Sequence, residues 1–347
     1  MCNTKVLKNS KSKLKKIIIV LIFILTTILC QETSYGDAFL NIGASSRSVG
    51  LGRSVVALPQ NIGGYLVNPA ATAFLPKNTF NGMYVNQFEL AEYYTVGFSH
   101  ATKNGYHWGL HGINLSVNDI FERPDVKNIT DLESRRDSIR VLVAQGFNSF
   151  NTRESALIIN LSKSIKTTID LGWRFAEVPL RIPVGINVKL LQKDLYQVNG
   201  TGIGVDMGGM IFLDLEQLFI YDWLDEFAIG LSLNNIVNTR MYWSSGKRDD
   251  IPMQLIGGVG YFQTFDNLPM KFSLLWQQNS LYKGDSQYGA ELTLFDLINV
   301  RGGYNYEYLQ GGVGLKFGNL NYSFGLDYSF SNHDLGNAHR IGGWLNF

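Results

Sequence analysis

Apolar and polar residues alternate with a period of two along most of the chain beyond residue 80. Ile169, Leu171, Trp173 and Phe175 fall on one side of an extended segment, with Asp170, Gly172 and Arg174 on the other. Val184, Ile186, Val188 and Leu190 oppose Gly185, Asn187 and Lys189. Phe227, Ile229, Leu231 and Leu233 oppose Ala228, Gly230, Ser232 and Asn234. Val313, Leu315 and Phe317 oppose Gly312, Gly314 and Lys316. Near the end, Leu320, Tyr322, Phe324, Leu326, Tyr328 and Phe330 oppose Asn321, Ser323, Gly325, Asp327 and Ser329. Successive side chains of a strand point to opposite faces, so this pattern predicts strands. In Tyr106–Val117 the apolar face switches between Leu110 and Ile113, which predicts a bulge or kink there.

The charged residues decide which kind of sheet this is. Asp170, Arg174, Lys189, Glu291, Arg301, Lys316 and Asp327 sit mid-strand on the polar faces. In a soluble sandwich that face is solvated; in a transmembrane barrel it lines the lumen while the apolar face meets lipid. The apolar faces are large and rich in aromatics, which favours an all-β, antiparallel barrel with these residues facing the lumen. No stretch after Gly36 has the 18 apolar residues of a spanning helix, and only helices and closed barrels satisfy their backbone in lipid. At about 9–11 residues per strand plus connections, residues 77–347 make about fourteen strands. Direct marking finds up to about sixteen candidates; both counts are even, as single-chain bacterial barrels require.

Connections fit the same plan. Lys103-Asn104-Gly105 reads as a tight hairpin turn. Asn118–Asp137 and Asn235–Ile251 read as long loops, on the cell exterior if the N-terminus is periplasmic. Leu213–Glu226 mixes acidic with large apolar residues and reads as a short amphipathic helix.

Both termini carry signals. Lys5, Lys8, Lys11, Lys13, Lys15 and Lys16 precede an apolar run from Ile17 to Leu29, and Ser34-Tyr35-Gly36 supplies small residues for cleavage. Residues 1–36 thus read as a signal peptide; the run is short for a membrane anchor. Both cysteines, Cys2 and Cys30, precede the cleavage point, so the mature chain has no disulfide. Cys30 is a poor lipoprotein acceptor because bulky Leu29 stands before it. At the other end, Arg340, Gly342, Leu345 and Phe347 form a final strand ending on an aromatic, the feature barrel-assembly machinery reads.

Composition adds little. Charged residues are 17%, below the roughly 25% of soluble domains, and 36 glycines and 13% aromatics suit strands at a lipid boundary. A net charge of +1 gives no electrostatic basis for nucleic-acid binding.

The leader Asp37-Ala38-Phe39-Leu40-Asn41-Ile42-Gly43-Ala44-Ser45-Ser46-Arg47-Ser48-Val49-Gly50-Leu51-Gly52, followed by Asn68-Pro69-Ala70-Ala71, resembles the opening of PorV/PorQ-type proteins. These belong to the FadL-like superfamily of long-chain fatty-acid transporters. The resemblance continues in Gly202–Gly208, Ser232-Leu233-Asn234-Asn235, Arg301-Gly302-Gly303-Tyr304 and His339-Arg340. Ala71 and Thr72 depart from it where the family usually has Gly after Asn-Pro-Ala, as does Arg53 after Gly52. The resemblance implies a fourteen-strand outer-membrane barrel with residues 37–76 folded inward as a hatch. Within that hatch, Arg47, Gly50, Gly52, Asn68, Pro69 and Ala70 are the matching positions. A physical reading agrees, since Phe39, Leu40, Ile42, Val49, Leu51, Val55 and Val56 need burial in a poorly periodic segment.

Catalytic chemistry is not expected. His107 and His111 share a face at strand spacing, but no helical H-E-x-x-H pair occurs. Gly200, Gly202 and Gly204 lack the strand-then-helix setting of a phosphate loop and read as wall positions that relieve crowding. No cofactor or metal is implied. The resemblance implies a role as an accessory of type IX secretion, with secretion components and exported proteins as partners at the cell surface. The alternative is a FadL-like transporter carrying a hydrophobic ligand across the outer membrane.

Overall fold

A computed structural model describes residues 36–122, 126–170, 177–219, 224–236, 238–265, 267–281, 286–306, 308–319, 322–334 and 336–347. Except for Gly36, the expected signal peptide lies outside the described residues, as does Arg174. The strands are β1 (Asn78–Gln87), β2 (Ala91–Ala101), β3 (Tyr106–Phe121), β4 (Ser149–Asp170), β5 (Glu177–Leu195), β6 (Val198–Asp214), β7 (Glu226–Asn234), β8 (Thr239–Trp243), β9 (Arg248–Ile251), β10 (Gln254–Phe265), β11 (Met270–Asn279), β12 (Ser286–Leu294), β13 (Ile298–Asn305), β14 (Tyr308–Gly318), β15 (Ser323–Ser331) and β16 (Ala338–Asn346). Fourteen of them, β1–β7 and β10–β16, form a closed antiparallel ring. Closure is made where Thr79 of β1 stands opposite Asn346 of β16, and the Phe347 amide donates to the Asn78 carbonyl at 3.0 Å. The remaining two strands are a short hairpin above the β7–β10 pair, with β8 laid against β6.

Burial is inverted relative to a soluble sheet. On β15, Phe324, Leu326, Tyr328 and Phe330 point outward and are exposed, Leu326 by 57%, while Ser329, pointing inward, is fully buried. The same inversion runs through β5, where Val184, Ile186, Val188 and Leu190 are outside and Asn187 and Lys189 are buried. At about 25 cal/mol per Å² such a surface is costly in water and favourable in hydrocarbon. The protein is therefore an outer-membrane β-barrel. Its longer connections, between β3 and β4 and between β7 and β10, leave the rim opposite Phe347, which marks that rim as extracellular.

Three local expectations change. The ladder between β3 and β4 runs unbroken through Leu110 and Ile113, and its irregularity lies between Val117 and Ile120. Ile113 is buried inside, packed with Tyr65 and Phe39 of the N-terminal segment. The apolar switch thus reflects a partly apolar interior, not a bulge. The β3–β4 connection contains a helix, Leu132–Gln145, capped by the Asp131 carboxylate, which accepts from the Ser134 amide at 2.8 Å. That hydrogen bond holds the Asp131 carboxyl below its ordinary pKa. The Asn235–Ile251 connection holds the β8–β9 hairpin. The expected helix near residue 215 is present as Leu215–Phe219.

Leu231→Arg, on the lipid side of β7, is expected to lower barrel stability by about 2–4 kcal/mol. Glu133→Arg on the exposed loop helix should change it by less than about 0.5 kcal/mol. Denaturant unfolding from liposomes, followed by heat-modifiable gel migration, measures both; equal effects would contradict the lipid-facing assignment.

Candidate functional site

The lumen is occupied by residues 37–75. Short helical turns give this segment its path: Ala38–Ile42, Ser46–Gly50, Gly64–Leu66 and Pro69–Phe74. Two are capped by their own sequence. Ser45 Oγ accepts from the Ser48 amide at 3.2 Å. Asn68 Oδ1 accepts from the Ala70 amide at 3.0 Å, with Pro69 at the first helical position, where its missing N–H costs nothing. Leu51, Val55, Val56, Leu58 and Tyr65 are completely buried, each such side chain contributing about 1.5–3 kcal/mol. They pack against inward wall residues, among them Ile158 and Met241 on one side and Phe212 and Ile256 on the other.

Wall glycines let the segment's backbone touch the sheet. A Cβ on Gly185 would stand 2.5 Å from the Pro69 carbonyl, and one on Gly289 2.5 Å from the Leu51 carbonyl. Cβ atoms on Gly208, Gly230 and Gly303 would overlap Asn68, Val56 and Gly52. Gly52 is required twice over: its φ is +64°, and a Cβ there would lie 2.5 Å from the Tyr288 carbonyl oxygen. Gly50 faces Gly312 across the same contact. Asn68 Nδ2 donates to the Val56 carbonyl at 2.7 Å and to the Gly209 carbonyl at 3.1 Å, tying two parts of the segment to β6. Pro69 offers its carbonyl to Asn160 Nδ2 at 3.0 Å, and Ala70 is fully buried.

An alternating row of charge joins segment and wall. Arg47 Nη2 lies 2.6 Å from Glu291 Oε1 and its Nε 3.0 Å from Oε2. Arg301 Nε lies 2.6 Å from the same Oε2, and Arg301 Nη1 lies 2.5 Å from Asp327 Oδ1. Two guanidiniums and two carboxylates thus compensate one another inside the wall. Burial acts to lower the Arg47 pKa, but attraction by Glu291 and then Asp327 leaves it raised. A second cluster joins Lys189 to Asp206 at 2.7 Å and to Asn235 Oδ1 at 2.7 Å, while Asn235 Nδ2 donates to Asp37 at 3.0 Å.

Of the expected lumen residues, Lys189, Glu291, Arg301 and Asp327 are buried inward. Lys316 keeps the inward parity but lies exposed at the end of β14, near the periplasmic turn. Asp170 ends β4; Arg174 is not among the described residues. In the final strand, Arg340 is buried and donates to Ser331 Oγ at 2.8 Å, Gly342 faces Ser46, and Leu345 and Phe347 are exposed on the lipid side. Sequence reasoning did not single out Tyr65, Asn160, Asn187 and Asn235, which bind the segment to the wall, or Asp206, which holds Asn235. Inward polar parity along the strands was the signal for Asn160, Asn187 and Asp206. His107 Nε2 donates to the Leu75 carbonyl, 3.0 Å away, and His111 stacks on Tyr65 with centroids 3.8 Å apart. Burial, then the charge of Tyr93, holds the Tyr65 hydroxyl well above its ordinary pKa. No grouping of metal-ligating side chains occurs among the described residues.

Glu291→Gln leaves Arg47 and Arg301 facing one carboxylate and is expected to destabilise the barrel by about 3–5 kcal/mol. Adding Arg47→Gln should return part of that loss. Denaturant titration of both variants tests the coupling, and strict additivity would contradict it.

A family model described as "Type IX secretion system membrane protein PorP/SprF" matches residues 195–343. The matched description is PorP/SprF and not PorV/PorQ. A search of curated proteins finds no match. Among solved structures, the chain is similar to a CymD monoaromatic hydrocarbon channel at 10% identity and TM-score 0.46, covering 88% of this chain and 96% of that one. A Pseudomonas aeruginosa FadL homologue gives 11% and 0.42, covering 87% and 97%. Acinetobacter baumannii Omp33 gives 9% and 0.35, covering 78% and 98%. The chain is thus an outer-membrane β-barrel whose C-terminal part, from the end of β5 into β16, is similar to a type IX secretion family.

Proposed function

We propose that this protein is an accessory component of type IX protein secretion, a closed barrel that binds exported proteins or their carriers at its extracellular rim. The observation that carries the reading is the family match over residues 195–343. The architecture supports it. Residues 37–75 fill the lumen through buried apolar contacts and the Arg47–Glu291 ion pair, an arrangement unsuited to open diffusion. Residues 37–76 act as a hatch, with Arg47, Gly50, Gly52, Asn68, Pro69 and Ala70 fixing it to the wall. Bond-making chemistry has no part in this role. The barrel-assembly machinery reads the strand ending in Leu345 and Phe347.

The second reading, a transporter of hydrophobic small molecules, is favoured by one feature. Between Met207 and Ile203 of β6 the ladder leaves β7 and resumes on β8, with the Ile236 amide donating to the Val205 carbonyl at 2.8 Å between them, which makes the wall irregular beside the lumen segment.

Two experiments separate these roles. Deleting the gene is expected to retain proteins with type IX sorting domains in the periplasm; normal surface display would sink the secretion reading. Deleting residues 37–76 should turn a silent barrel into a conducting one in planar bilayers, and an unchanged conductance would remove the hatch.

A further inference from the structure

The outer wall carries a groove of about 940 Å³ where β4, β5, β6 and β8 meet, within the roughly 300–1,000 Å³ of ligand-binding clefts. Its origin is a mismatch along β6. Leu233 of β7 stands opposite Met207, and Arg240 of β8 stands opposite Ile203. Four residue steps along β6 are therefore spanned by seven along the neighbouring chain. The excess is taken up at Asn235 and Asn238, both with φ of +56°, and Asn235 is pinned inward by Asp206 and Asp37.

The groove crosses the polarity boundary of the barrel exterior. Its lower half is aliphatic, formed by Leu157, Leu190 and Ile203, the last 67% exposed. One strand step toward the extracellular rim, the outward positions become Gln192, Thr201 and Tyr242, while Arg240 stands at the end of the aliphatic row, beside Ile203. Among the described residues, no carboxylate lines the groove. The nearest partner of Arg240 is Asp250, 3.6 Å from its Nε, and both side chains are largely exposed. Such a pair is worth about 0–1 kcal/mol and leaves most guanidinium donors available. The site thus offers hydrocarbon below, neutral hydrogen-bonding groups above and one weakly compensated cation at the boundary.

We propose that this groove docks a phosphorylated glycolipid of the outer leaflet, its phosphate on Arg240 and its sugar hydroxyls on Thr201 and Gln192. Its acyl chains run down over Leu157, Leu190 and Ile203. The amphiphile's division into a phosphorylated sugar and hydrocarbon matches the division of the lining into hydrogen-bonding and aliphatic residues. A phosphate hydrogen-bonded by a guanidinium near the lipid boundary is bound more strongly than a neutral headgroup. This inference rests on outer-membrane location alone and is independent of the secretion role.

Native mass spectrometry of the full chain, released from micelles titrated with purified bis-phosphorylated lipid A, tests it. One lipid should be retained per barrel, and enzymatically dephosphorylated lipid A should bind about tenfold more weakly. Arg240→Ser should lose the same factor, and Thr201→Glu should do so by placing a carboxylate beside the phosphate; heat-modifiable migration confirms that each variant is folded. Thr201→Glu keeps the test open if Arg240→Ser does not fold. Equal retention by wild type and both folded variants would overturn the proposal. So would equal retention of phosphatidylglycerol, which would mark the groove as a general acyl-chain surface, or retention of no lipid.

Discussion

Fourteen strands enclose more space than their own side chains fill. A barrel of about eight strands closes over its inward residues, whereas one of about sixteen leaves an aqueous channel. This barrel lies between, and the intermediate space is filled by its own N-terminal segment. Much else follows from that filling. Inward glycines at 185, 208, 230, 289 and 303 exist where the segment's backbone meets the sheet. Inward asparagines at 160, 187 and 235 satisfy segment carbonyls and carboxylates that would otherwise be buried without partners. The lumen is therefore an interior with two components, apolar where Val55 and Tyr65 lie and polar around Arg47 and Asp37.

That division explains what the sequence could disclose. Outward faces answer to lipid alone, so Val184 to Leu190 and Phe324 to Phe330 read without ambiguity. Inward faces answer to whatever occupies the lumen. Ile113 and Leu115 pack against the segment, and without knowledge of that neighbour their apolar character reads as a kink. Polar parity gave the side of Lys316 but not its height, because alternation carries no information on position along the barrel axis. Helix Leu132–Gln145 escaped because none of its residues is buried; an element without a buried face leaves little periodic trace. The PorP/SprF match begins only at residue 195, so likeness to a family bears on the later strands while the leader is argued from its contacts.

The ionic row deserves weighing against the apolar contacts. Arg47, Arg301, Glu291 and Asp327 lose hydration inside the wall, and the mutual attraction of such groups roughly offsets that loss. Their contribution is better sought in position than in net stability. Glu291 accepts from two guanidiniums that belong to different parts of the fold, one on β13 and one on the segment. A carboxylate so shared is satisfied only when the segment sits in one place. Gly52 imposes the same restriction sterically, since its left-handed backbone fits between the Tyr288 and Tyr304 backbones and no larger residue does.

The junction of β7 and β8 is where inner and outer demands meet. Inside, Asp206 and Lys189 hold Asn235 next to Asp37, so the start of the segment and the kink of the wall share one hydrogen-bond network. Outside, the residues displaced by that kink leave a groove lined by Ile203 and Arg240. The glycines at 200, 202 and 204 complete the arrangement, for Cβ atoms there would collide with Trp243, Met241 and Thr239 of the returning hairpin. A straight ladder at this point would close the groove and withdraw Asn235 from Asp37. The same three surplus residues therefore shape the lipid-facing surface and anchor the lumen filling, which ties the two sides of the wall together at this strand pair.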